Sequence, residues 1–295
     1  MVKKLSRIKA EGLLVITTSV WGSTFLIIQT LVAGKGFNSP FALLTSRFLL
    51  ATLLALVVFY PGRKPDRKEL IGGLIIGGAA FLGYTAQTIG LTNTTPARSG
   101  FITSLFVLFV PFVSMIWERK KIPIFVFIAL IPAGFGLWQI SGVGKGILDI
   151  NPGDKITLLS ALAYAFQIVG IQVYTKDGDW RWLAILQFAV IAILSTICLI
   201  FEDNSVLTLD PKNIIAIVYL AFAATVGALG VQMFAQRFTT SARASLIYIA
   251  EPIFASGFAW IFASQYMTQD ELLGAGAIIL SMFIGRIKYP DRKTT

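Results

Sequence analysis

Two ionisable residues stand inside apolar stretches long enough to cross a bilayer: Arg47 in "FALLTSRFLLATLLALVVF" and Glu251 in "ASLIYIAEPIFASGFAWIF". A charged side chain at the centre of a membrane helix costs about 2.5–3.5 kcal/mol on insertion scales, so such residues are functional candidates by default. The leucines around Arg47 (Leu43, Leu44, Leu49, Leu50, Leu53, Leu54 and Leu56) contribute roughly −0.5 kcal/mol each and make its insertion feasible, yet the guanidinium still needs a partner or water. At about 1.5 Å per residue, Arg47 lies roughly 12 Å from one edge of a 30 Å hydrocarbon core and Glu251 roughly 14 Å from the other. Both are therefore expected at a central cavity, paired directly or through a bound solute. A buried carboxyl group is far cheaper to hold neutral than charged, which makes Glu251 the candidate for proton coupling. The plainer readings are a packing or snorkelling Arg47, and a Glu251 that with Pro252 only shapes a kink.

Polar and aromatic residues at helical spacing suggest the wall of that cavity: Trp21 and Thr24, then Tyr84, Gln87 and Thr88, then Tyr164 and Gln167, and Ala244, Tyr248 and Glu251. Interhelical hydrogen bonding is the plainer role of each taken alone. As a set, the expected substrate-binding residues are Trp21, Thr24, Arg47, Tyr84, Gln87, Gln167, Tyr248 and Glu251. Amides, hydroxyls and aromatic rings suit a zwitterion or another small polar organic solute better than a bare metal ion, which needs several carboxylates or thiolates. The chain has no histidine and one cysteine, Cys198, within an apolar run. Disulfides, His-based metal sites and Ser-His-Asp or Cys-His catalysis are thereby excluded. The expectation is a protein that is not an enzyme and holds no cofactor or metal.

The elements that position these residues follow from composition. Of 295 residues, 56% are hydrophobic and 14% charged, with a mean hydropathy of +0.76, which points to a polytopic membrane protein partnered by the lipid bilayer. A net charge of +10 falls in short clusters between apolar runs rather than in a continuous patch, so nucleic acid is not an expected partner. The start "MVKKLSRIK" before "LLVITTSVWGSTFLIIQTLVAG" has a secretory layout, but its apolar part of about 20 residues exceeds a signal core and is read as a retained first span. Ten spans are predicted, at 11–33, 39–60, 69–91, 96–117, 122–141, 155–175, 181–202, 212–236, 241–264 and 270–288. With both termini cytoplasmic, nineteen of the 25 Lys and Arg residues fall inside and five outside, the other being Arg47; cytoplasmic ends carry that excess. Pro111, Pro132 and Pro252 lie within spans, remove a backbone hydrogen bond each, and are candidate hinges. "GGLIIGG" (72–78) and "GAGAI" (274–278) are read as close-packing sites, within the fold or between protomers.

The stretch "TTPARSG" (94–100) returns as "TTSARAS" (239–245), and "AAFLG" (79–83) returns as "AATVG" (223–227), an offset of 145 against 144. On the predicted topology the copies fall on opposite faces, as a five-span unit repeated in tandem requires. Their arginines, Arg98 and Arg243, are expected to anchor helix ends. With "VWGSTF", "SRFLLATLLAL", "GLTNTTPARSGFITSLFVLFVP", "ALAYAFQIVG", "TTSARASLIYIAEPIFASGFAWIF" and "ELLGAGAIIL" in this order, the chain resembles the EamA-type transporters of the drug/metabolite transporter superfamily over nearly its whole length. The resemblance implies an all-α membrane protein of ten helices in two inverted repeats, 11–141 and 155–288. It further implies export of small metabolites, amino acids among them, from the bacterial cytoplasm across the inner membrane by alternating access. The alternatives are an exchanger or importer of another metabolite class, and a membrane interaction protein that transports nothing. One departure is the loop after the ninth span, often "GE" in the family and "SQ" (Ser264, Gln265) here.

Overall fold

A computed structural model describes residues 5–33, 39–119, 121–141, 151–202, 210–263, 266–285 and 287. Ser264 and Gln265, the connection 142–150 and the last basic cluster, Arg286, Lys288, Arg292 and Lys293, lie outside the described residues. Those described form helices and no strand. In order they are α1 (Arg7–Gly22), α2 (Thr24–Ala33), α3 (Pro40–Phe59), α4 (Arg67–Leu91), α5 (Pro96–Ser104), α6 (Phe106–Trp117) and α7 (Ile124–Ser141). The second half holds α8 (Pro152–Tyr174), α9 (Trp180–Ile200), α10 (Pro211–Tyr219), α11 (Ala228–Gln236), α12 (Ser241–Tyr248), α13 (Glu251–Ala263) and α14 (Gln269–Ile284). A π-helical stretch, Leu220–Gly227, joins α10 to α11.

The helix starts are written in polar residues at the edges of the apolar runs. Asp66, Asn151 and Thr268 each accept from the backbone N–H three residues on, where an acidic side chain returns the bond. Thr95 and Thr240 do the same for α5 and α12 by accepting from the N–H groups of Arg98 and Arg243 at 3.3 Å; a cap of this type contributes about 1 kcal/mol.

Seven helical segments are long and apolar enough to cross a membrane, and Ile124–Ile140 is a shorter apolar one. The surface agrees: Val57, Ile131, Ile200 and Phe201 are 74–84% exposed, an arrangement that lipid tolerates and water does not. Polar residues run the other way, with Arg47, Gln167, Gln187, Gln232 and Gln236 all buried. The chain is a multi-pass membrane protein.

The two halves interlock. In the first, α4 lies along α8 and α9, and α6 along α8; in reciprocal fashion α11 lies along α1, the π-helical stretch along α3, and α12 and α13 along α1. The remaining large contacts, α3 with α9 and α7 with α14, join corresponding helices of the two halves. The glycine motifs act within this fold. A Cβ on Gly73 would come within 2.3 Å of Leu186, and Gly136 and Gly274 admit one another's backbone, a Cβ on either meeting the other's carbonyl at 2.5–2.6 Å.

Several helices are interrupted where the sequence shows one unbroken apolar run. Ser23 separates α1 from α2, Leu105 separates α5 from α6, and Ile249 with Ala250 separates α12 from α13. Ser23 and Thr24 donate their hydroxyls to the carbonyls of Val20 and Trp21, a local bond that competes with regular helix geometry. Pro111 and Pro132 stand inside α6 and α7 away from these breaks, whereas Pro252 occupies the second position of α13, where the missing N–H costs nothing.

Candidate functional site

The interruptions converge on one cavity of about 60 Å³, room for a few waters. All eight expected substrate-binding residues lie on its wall. Trp21 and Thr24 come from the junction of α1 and α2, Arg47 from α3, Tyr84 and Gln87 from α4, Gln167 from α8, and Tyr248 and Glu251 from either side of the break between α12 and α13. Phe25, Ile28, Thr103, Phe106, Tyr164, Ile168, Leu229 and Gln232 complete it, so both halves of the chain contribute. Thr88 and Ala244 are buried elsewhere.

Arg47 and Glu251 share this cavity without joining in an ion pair. Arg47 is 2% exposed; its Nε donates to Thr225 Oγ1 at 2.8 Å, and its guanidinium carbon lies 5.1 Å from the ring centroids of Phe48 and Tyr84. The charge is thus held by a hydroxyl and two aromatic faces. Thr225 is available because it sits on the π-helical stretch, donating its own proton five residues back to the Leu220 carbonyl at 2.8 Å. The wider turn also presents the Ala224 carbonyl to the Trp21 indole N–H at 3.2 Å. Glu251, by contrast, accepts no hydrogen bond and forms no ion pair among the described residues, and its half-buried side chain faces the cavity. A carboxyl group without a protein partner in such a place is open to a solute or a proton.

The remaining wall is fixed by polar contacts within each half and one between them. Tyr164 donates to Gln87 Oε1 at 3.2 Å, Gln87 donates to Thr103 at 3.2 Å, and Gln167 donates to Gln187 and Gln232 at 3.3 Å each. Tyr248 donates to Gln236 at 3.0 Å and packs edge-on against Trp21, and Tyr84 packs edge-on against Tyr164. The aromatic rings offer flat apolar faces, while Arg47 supplies a positive charge and Glu251 a carboxyl group. Gln232 and Thr103 carry a signal that the sequence reading passed over. They are the repeat counterparts of Gln87 and Tyr248, each at an offset of 145.

Gly22, in "VWGSTF", places Glu251. A Cβ there would approach the Glu251 carbonyl and the Ala255 nitrogen to 2.9 Å and the Phe254 Cβ to 2.8 Å. Because the first two are backbone, a Gly22→Ala change must push α1 and α13 apart. The expected cost is about 1–3 kcal/mol, read as a lower thermal midpoint in detergent, together with loss of solute exchange in vesicles.

Comparison with known proteins agrees with this architecture. An "Uncharacterized transporter" of Archaeoglobus fulgidus is 31% identical over 286 residues, covering 95% of this chain and 86% of its own. An "Uncharacterized transporter in trpA 3'region" of Buchnera aphidicola is 25% identical over 82% of this chain and 81% of its own. A protein of known crystal structure shares the fold with a TM-score of 0.76 at 17% identity, over 95% of this chain and 97% of its own. Residues 8–142 and 151–285 each match the EamA-like transporter family, and with both halves matched the chain belongs to that family of membrane transporters.

Proposed function

We propose that the protein is a secondary transporter that exports a small organic solute, an amino acid or a similar amphipathic compound, from the bacterial cytoplasm across the inner membrane. Joining the helices that a short interruption or the π-helical stretch separates leaves ten described segments, which together with the distribution of Lys and Arg support ten spans in two inverted five-helix repeats with both termini cytoplasmic. Trp21, Thr24, Arg47, Tyr84, Gln87, Gln167, Tyr248 and Glu251 bind the solute, which enters between the charges that do not meet each other.

The observation that carries this reading is the cavity shared by the two halves, with a buried guanidinium on one wall and, on another, a carboxyl group that has no hydrogen bond or ion pair among the described residues. A zwitterion with an apolar or aromatic side chain satisfies both charges and the rings together. Such a solute recovers the hydration it loses on binding.

Counterflow in proteoliposomes tests it. Vesicles preloaded with one unlabelled compound are offered the same compound in labelled form, across a panel of amino acids, nucleobases and cationic dyes, with and without a pH gradient. Transient accumulation that saturates with one zwitterionic class is expected. Saturating exchange of bases or dyes alone would assign another substrate class, and flux that never saturates would indicate a channel.

A further inference from the structure

The repeated heptapeptide does the same thing at both ends of the molecule. Thr94 donates its hydroxyl to Asp154 Oδ1 at 2.6 Å, and Arg98 donates to Oδ2 of the same carboxylate. In the second copy Thr239 donates to Glu11 Oε1 at 3.0 Å, while Arg243 approaches that oxygen to 2.8 Å through Nε and donates from Nη2 to Oε2 at 3.2 Å. Each copy thus clasps a carboxylate at the start of the other half, and both carboxylates are the fourth residue of their matched repeat. Asp154 is 3% and Glu11 1% exposed, so both carboxylates are shut against water, while the Arg98 side chain keeps 27% of its surface.

We infer that these two clasps, Thr94 and Arg98 on Asp154 and Thr239 and Arg243 on Glu11, are the paired gates of the central cavity, opening in alternation on opposite sides of the membrane. The inference rests on the transport reading and adds its moving parts.

The surroundings suit a gate better than a fixed staple. Each clasp joins one half of the chain to the other, so the halves cannot separate at that end while it holds. The arginine of each lies on a short helix, α5 or α12, that ends at an interruption beside the cavity, so each short helix can swing about its own break. Hydrogen-bonded polar side chains connect each clasp to the cavity. On one side Gln87, Thr103 and Ser160 lead towards Thr157, whose hydroxyl donates to the Gly153 carbonyl next to Asp154. On the other, Gln232 and Gln236 lead to Thr239, whose N–H donates to the Gln236 carbonyl. Such walls are ready to be wetted. An ion pair suits the task because opening exposes both partners to water, whose hydration offsets the lost attraction. Both clasps are closed in this structure.

The test reads the side from which the cavity can be reached, and needs no substrate. In the full chain, Cys198→Ser removes the single cysteine and Thr103→Cys places a reporter on the cavity wall. An impermeant maleimide is then applied to one face or the other of oriented vesicles. Asp154→Asn should raise labelling from one face by about tenfold, and Glu11→Gln should raise it from the opposite face by a similar factor. Two variants opening the same face, or two folded variants with unchanged labelling, would overturn the inference. Cysteine pairs keep it testable if either variant fails to fold. Oxidising Thr94→Cys with Asp154→Cys, or Thr239→Cys with Glu11→Cys, should stop exchange, and reduction should restore it; undiminished exchange in fully cross-linked protein would overturn the gates. Labelling that switches sides as expected, in a chain that exchanges no solute, would support the gates and remove the transport reading.

Discussion

Arg47→Met is expected to leave the protein as stable as before, or more so, and to disable it. Arg47 is buried, and among the described residues no carboxylate forms an ion pair with it. It donates to Thr225 and lies against the rings of Phe48 and Tyr84, cation–π contacts that contribute about 0.5–2 kcal/mol. Replacing a buried charged group with an apolar side chain of similar volume is commonly neutral or stabilising by about 1–4 kcal/mol. The thermal midpoint in detergent should therefore hold or rise. Exchange should fall by roughly 10- to 100-fold, because a charge-assisted hydrogen bond to the solute, about 1.5–3 kcal/mol, is lost. Arg47→Lys separates charge from shape. A guanidinium carries five N–H donors in a planar fork and Thr225 takes one, whereas an ammonium cannot lie flat between two rings and hold a hydroxyl at once. It should bind solute more weakly than the wild type and better than Arg47→Met. If Arg47→Met unfolds the protein and Arg47→Lys is fully active, Arg47 is a packing residue and the substrate's acidic end is held elsewhere.

That Arg47 and Glu251 could be assigned to one cavity from sequence, and Thr225 could not be assigned to Arg47, has a physical explanation. Depth in a membrane follows from counting residues along a helix of fixed rise, so Arg47 and Glu251 could be put near one level before any fold was known. Helical spacing likewise put Tyr84 with Gln87 and Tyr248 with Glu251 on shared faces, and all four line the cavity. What counting cannot give is local departure from the α-helix. Thr225 reaches Arg47 from a π-helical turn, and an apolar run such as "LAFAATVG" does not distinguish that turn from an ordinary one. One trace of it was present. The repeat slips by a residue between Gly227 and Thr239, directly after this stretch, and a π-helical turn takes up one residue more than an α-helical turn. Arg98 and Arg243 show the same limit. Their positions at helix starts were legible, but their reach to Asp154 and Glu11 depends on which helices of the other half pack beside them.

Glu251→Gln should uncouple transport from protons while leaving the cavity intact. The amide matches the carboxyl group in size, and Glu251 has no hydrogen bond or ion pair among the described residues to lose. Stability should change little. Function should change in a specific way, because an amide does not titrate. If export is exchange of one proton inward for one solute outward, inside-out vesicles with an acidic lumen accumulate solute as protons leave. Each pH unit supports about tenfold accumulation, since one unit is about 1.36 kcal/mol per proton. With Glu251→Gln, accumulation should fall to a ratio of one at any pH gradient. Counterflow, which needs solute binding and gating but no net proton movement, should persist in the same vesicles at a higher half-saturating concentration, because the amide carbonyl still accepts from the solute's ammonium but without the charge. The sign is part of the prediction: an alkaline lumen must not drive accumulation in the wild type, because the proton gradient then opposes entry of solute. Gradient-driven accumulation that survives Glu251→Gln at full height would remove Glu251 from coupling. Among the described residues the other titratable side chains on the cavity wall are Arg47, Tyr84, Tyr164 and Tyr248, and neither an arginine nor a tyrosine gives up its proton at physiological pH. That result would therefore point either to a proton site outside the cavity or to a carrier driven by the solute gradient alone.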